Sequence, residues 1–157
     1  MKKLLFASVG LLLLVLNSCK NSDKEEKDEE KNTLVNHADS LYNDVIKGHD
    51  EGMGGWMHIE TRQKQVKAAL DSIAKLPAKA KAAAEQLKVK LAEVNTELQL
   101  AYEGMDKWMN EINLDSAKGD LAARIKYLEE EKLKVNSVKD AVNNSLRKAD
   151  SLLKAKF

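Results

Sequence analysis

From Leu34 onward, apolar residues return every three or four positions, the spacing that lines one face of an α-helix. The pattern is cleanest in the middle of the chain. Ala80, Ala84, Leu87, Leu91, Val94, Leu98, Ala101, Met105, Trp108 and Ile112 step by four and three without a miss. Such a heptad seam packs knobs into holes against a partner helix. Upstream, Ala38, Val45, Gly52, Ile59, Val66 and Ile73 recur at intervals of seven, joined by Leu34, Leu41, Ala69 and Leu76. Downstream, the seam is Leu121, Ile125, Leu128, Val135, Val138, Val142, Leu146, Ala149 and Leu152. The pattern predicts three helices, at about 34–76, 78–112 and 117–155, each roughly 50–65 Å long at the helical rise.

Two breaks set the topology. Pro77 separates the first two helices and suits the first turn of the second. Asn113-Leu114-Asp115-Ser116 separates the next two, with Asp115 or Ser116 as the expected cap. Connections this short make neighbours antiparallel. The expected fold is therefore all-α, an elongated up-down-up three-helix bundle built from coiled-coil-like hairpins. One stretch conflicts with it. Gly48, Gly52, Gly54 and Gly55 fall within eight positions of the first helix. Each glycine costs about 1 kcal/mol relative to alanine in a helix interior. The cluster should kink the helix, interrupt it, or admit something close to its backbone. The Trp108 ring is one candidate to fill the space beside Gly48, Gly52 and Gly55.

The N-terminus carries a different signal. Lys2-Lys3 precede an uncharged, leucine-rich run from Leu4 to Leu16, and Ser18-Cys19 follow. These are the basic and apolar regions of a secretory signal peptide. The run is short for a membrane span, which needs about 20 residues. Ser18-Cys19 resembles the lipobox of bacterial lipoproteins, which implies cleavage before Cys19 and acylation of its thiol. Cys19 is the only cysteine, so an internal disulfide is impossible and a covalent lipid is the better reading. The domain organisation expected is a signal peptide over 1–18, a lipidated Cys19 with a charged disordered tether over 19–33, and a helical bundle over 34–157. Residues 20–31, KNSDKEEKDEEK, offer nothing to bury. Lysine and acidic residues just behind the cysteine also resemble the export signal of surface-exposed lipoproteins of Bacteroidota. The expected location is the bacterial envelope, anchored to the outer membrane and facing the periplasm or the exterior.

Charge then narrows the partners. Removing Lys2 and Lys3 from 26 basic residues leaves 24 against 25 acidic ones, a mature balance of −1. Without a strong field of either sign, nucleic acid is not an expected partner.

Chemistry gathers in one place. His49, Met53 and Met57 are spaced by four, as are Met105 and Met109, with Trp108 between the last two. Folding the hairpin near Lys79 sets His49 opposite Met109, Met53 opposite Met105, and Trp56 opposite Tyr102. Thioether and imidazole are soft ligands that suit Cu(I). A tryptophan beside a His/Met set resembles small periplasmic copper carriers in ligand type, although those are β-barrels. The plainer reading is core packing, because methionine is an adaptable filler and Met105 and Trp108 already sit on the seam. On that reading no cofactor is bound. His37 and His58 point elsewhere and carry no assigned role.

His49-Asp50-Glu51 with Met53, Met105-x-x-Trp108-Met109 and Tyr127-Leu128-x-x-Glu131-Lys132 together resemble a family of small helical lipoproteins of Bacteroidota, labelled "viral A-type inclusion protein". The resemblance spans roughly residues 34–155 and implies a type of protein with no established activity. Gly54-Gly55 differ from the proline-containing version of that stretch. The sequence contains no nucleophile–base pair, Gly-rich phosphate loop or HExxH, so an enzyme is not expected. The expected function is a lipid-anchored envelope interaction or structural module. A Cu(I) buffer or carrier using His49, Met53, Met105 and Met109 beside Trp108 is the alternative. Membrane contact through the lipid, an envelope protein, and further copies of the chain are the expected partners.

Overall fold

The structure, a computed structural model, describes residues 22–154. The signal peptide and Cys19 lie outside the described residues. Three helices account for nearly all of it: α1 (Ser22–Ala74), α2 (Ala78–Glu111) and α3 (Leu121–Leu153). All three pairs of helices are in contact, and α1 packs most extensively on α3. The core is the predicted seam. Val45, Ile59, Val66, Leu98, Met105, Leu128, Val135 and Val142 are all fully buried along its length. Leu34 is the exception, exposed at the entrance to the bundle.

The turns follow from local chemistry. Backbone N–H groups of Lys75 and Leu76 donate to Ser72 and Ile73 carbonyls at 3.2 and 3.1 Å, tightening the end of α1. Pro77 then caps α2 at φ −60°, ψ 153°. Proline disfavours helical backbone in the residue before it, so α1 must end here. The second connection differs from expectation. Neither Asp115 nor Ser116 caps α3. Asp120 does, its Oδ1 accepting from the Ala123 N–H at 3.0 Å, so the helix starts at Leu121 and not at 117. The intervening residues fold into their own turn. Ser116 N–H donates to the Asn113 carbonyl at 2.9 Å and Asp120 N–H to that of Ala117 at 3.0 Å. Ala117 takes a left-handed φ of 56°. Arg124 reaches back to the carbonyls of Leu114 and Ser116, both at 3.0 Å, and the Tyr127 hydroxyl accepts from Asn113 N–H at 2.8 Å.

Register is fixed by side chains that cross between helices. Lys132–Asp44 (2.8 Å), Lys139–Glu51 (3.3 Å) and Arg62–Asp150 each join residues 88 apart. A constant difference over three pairs means that α1 and α3 run parallel in one unbroken register. Between α1 and α2 the helices are antiparallel. Trp56 stacks on Tyr102 with ring centroids 4.7 Å apart and donates through Nε1 to the Tyr102 carbonyl at 3.2 Å.

Two expectations about α1 are corrected. The glycine cluster does not interrupt it, since α1 is helical from Ser22 to Ala74. Of the outcomes foreseen, close approach is the one observed, but mainly by α3 and not by Trp108. A Cβ at Gly48 would come within 2.9 Å of Val135 Cγ1, and one at Gly55 within 2.8 Å of Val142 Cγ1. At Gly52 it would strike the Met105 methyl group and lie 3.4 Å from the Lys139 backbone. Gly54 faces open space. Three glycines therefore form a flat strip on which α3 settles, and the dispersion attraction of that close packing offsets their low helix propensity. The second correction concerns the charged tether. It is helical from Ser22, and residues 28–37 are exposed. It is solvated, as its composition requires, without being irregular in backbone.

Candidate functional site

The residues singled out from sequence lie where the last turns of α2 pack on α1 around His49 and Gly52. Met105 is fully buried, Trp108 is 7% exposed, and Met53 and Met109 are half-buried against the core. His49 is half-buried, with its ring centroid 5.7 Å from that of Trp108 at a tilt of 34°. Its Nδ1 lies 3.1 Å from Asp50 Oδ1. An ionised carboxylate only accepts, so Nδ1 is the donor in this contact. The Met105 methyl group sits over Gly52, between His49 and Met53 in sequence. Trp56 and Tyr102 stack one heptad away, in the facing expected for this hairpin. Met57 does not join the cluster and is 65% exposed.

The structure adds a residue that the seam pattern passed over. Glu131 is 4% exposed, and its Oε2 accepts from Trp108 Nε1 at 2.9 Å. Its other oxygen accepts from Lys134 Nζ at 2.8 Å. This hydrogen bond, reinforced by the carboxylate's charge, raises the Lys134 pKa above the usual lysine value. A buried carboxylate must be paired and hydrogen-bonded to be tolerated, and each oxygen here has a partner. The signal was present in sequence. Between Leu128 and Val135 the heptad calls for an inward residue at 131, and the residue there is acidic. Ser145 is the other polar seam residue. It is buried, and its hydroxyl donates to the Val142 carbonyl at 2.9 Å.

The cluster thus spans all three helices. His49 from α1 rests on Trp108 from α2, which donates to Glu131 from α3. Packing and hydrogen bonding within the protein satisfy the polar atoms of Trp108 and Glu131 and His49 Nδ1. The thioethers and His49 Nε2 are the atoms with ligating capacity left. Among the described residues, no three His, Cys, Asp or Glu side chains gather as a metal-ligand group.

Two open surface grooves lie elsewhere. One, of about 190 Å³, follows the α1–α3 boundary over Gly48, between Asp44–Lys132 and Glu51–Lys139. The other, of about 280 Å³, lies between α2 and α3 over Val94 and Leu152, beside the Glu97–Lys148 pair. Each is bordered by at least one ion pair that crosses the helices.

No described helix is long and apolar enough to cross a membrane. Compared with protein-family models, with curated proteins and with solved structures, the chain matches none.

Proposed function

We propose that this protein is a lipid-anchored module of the bacterial cell envelope, held to the outer membrane through Cys19, which acts by presenting a helical surface and not by catalysis. The observation that best supports this reading is the course of α1. From Ser22, the first described residue, it runs without interruption into the closed core of the bundle. The signal-peptide pattern and the resemblance to small helical lipoproteins of Bacteroidota point the same way. More than one acyl chain makes such anchoring effectively stable, because each buried methylene contributes about 0.8 kcal/mol. Expressing the full chain in a Gram-negative host with an alkyne-tagged fatty acid tests the anchor. The parent should be labelled and should partition into the detergent phase. Cys19→Ala should be unlabelled, and either soluble or retained as uncut precursor. A mature chain bearing a free Cys19 thiol would overturn the reading.

A second reading, Cu(I) binding, rests on a specific juxtaposition. His49, with Nδ1 held by Asp50, shares one stretch of the α1–α2 interface with Met105 and with half-buried Met53 and Met109. A hydrogen bond at one ring nitrogen orients the other for ligation. Copper bound only by the folded state would raise the melting temperature. Met105→Leu keeps the volume, so packing should change by less than ~1.5 kcal/mol. Loss of the copper-dependent shift in Met105→Leu supports ligation. An equal response in parent and variant leaves core packing as the whole role of the cluster.

A further inference from the structure

The helical course of residues 22–37 is not what their composition alone requires. They contain Leu34 and Val35 as their only large apolar residues, and residues 28–37 are exposed throughout. The α1–α3 register places Leu121, the first residue of α3, beside residue 33. α2 ends at Glu111, further along still, since its partner region in α1 is near His49. Residues 22–32 therefore extend as a single helix past the start of α3 and the end of α2.

An isolated peptide of this length would be only marginally helical, because the first turn is costly to nucleate. Here that cost does not arise. The folded bundle supplies the nucleus, and each added residue only extends an existing helix. Sequence supports the extension. Asp23 and Lys27 stand four apart, as do Lys24 and Asp28, while Lys27–Glu30 and Asp28–Lys31 stand three apart, the spacings at which opposite charges meet on a helix. Proline and glycine are absent from residues 20–47. The Thr33 hydroxyl donates to the Glu29 carbonyl at 2.9 Å, inside the helix.

We infer that residues 22–37 form a stiff helical mast, continuous with the bundle, that couples the anchor at Cys19 to the body of the protein. The inference rests on the lipid-anchor reading given above. α1 has 53 residues, so its far end at the Pro77 turn stands about 80 Å from its start. That turn is then the region displayed farthest from the membrane. Mean stand-off does not separate a mast from a loose tether. Sixteen helical residues span about 24 Å, and sixteen residues of flexible coil span about 22 Å on average. What differs is the spread of distances.

The test measures that spread in the full, acylated chain reconstituted in liposomes. Acylation occupies the only native cysteine, so cysteines at Lys24→Cys and Glu60→Cys can be spin-labelled alone. Double electron–electron resonance should give a narrow peak near 54 Å, the rise of 36 helical residues. Inserting Gly-Ser-Gly-Ser between Glu29 and Glu30 should broaden and shift the peak while leaving the melting temperature of the bundle within a degree or two. A parent distribution as broad as that of the insertion variant, in protein that floats with the liposomes, overturns the mast. A narrow peak in protein that fails to float overturns the anchor reading instead, and with it the coupling to a membrane.

Discussion

Two adjacent glycines of α1 do opposite work. Gly54 faces open space, so a methyl group there costs nothing and restores helix propensity. Gly54→Ala should stabilise by about 0.5–1 kcal/mol. At Gly55 the added Cβ would meet Val142 at 2.8 Å, Asn143 at 3.0 Å and Leu146 at 3.1 Å. Val142 is β-branched, fully buried and unable to swing aside. Gly55→Ala should therefore destabilise by about 1–3 kcal/mol through overpacking. Paired urea titrations read both signs, and a rise at Gly55 would show that α3 does not rest on this strip. The charged residues carry a separate expectation. The Lys132 ammonium, hydrogen-bonded to Asp44 at 2.8 Å, holds that carboxyl below its usual value. Stability from this pair is complete above the ordinary carboxylate pKa and is lost as pH falls through the depressed one. In Lys132→Met the urea midpoint should fall less steeply with acid than in the parent. Lys134 behaves in reverse. Its raised pKa makes its contribution full below the ordinary lysine value and lost only as pH climbs through the raised one.

Among elements, α2 is the most completely specified by its own sequence. The stepped seam from Ala84 to Trp108 is buried at nearly every position foreseen, with Leu87 and Ile112 half-buried at the margins. Leu91 is 1% exposed at the middle of that seam. Leu91→Asp would bury a carboxylate without a partner, at a cost of about 3–5 kcal/mol, a large share of the ~5–15 kcal/mol that holds a domain folded. Circular dichroism should show loss of the cooperative melt, and an unchanged curve would mean that the seam is solvated. α1 is less legible, because its glycines read locally as helix breakers. Propensity counts the residue and its neighbours in sequence. It does not count Val135, Lys139 and Val142, which are far along the chain and give the flat strip its purpose. The start of α3 is hard to read for a related reason. Asp115, Ser116 and Asp120 are all competent caps, and the left-handed Ala117 with its Arg124 and Tyr127 contacts decides among them.

At the scale of the whole molecule, the all-α class, three helices, the Pro77 turn and the facing of Trp56 on Tyr102 follow from periodicity and from two short connections. Those features depend on spacing along a chain, and spacing is what a sequence records. The parallel α1–α3 register, expressed in three pairs 88 residues apart, does not follow from any local pattern. The heptad marks position 131 as inward, but the charge of Glu131 argues for the surface until Trp108 and Lys134 supply its partners. The candidate site divides in the same way. Its α1 and α2 members are visible as matching four-residue spacings on two facing helices, while its α3 member emerges only with the third helix in place. The charged stretch before Leu34 shows the division most plainly. Composition determined that it stays in water, because it has nothing to bury. Only the folded bundle, by providing a helix already nucleated, decided that it continues as helix there.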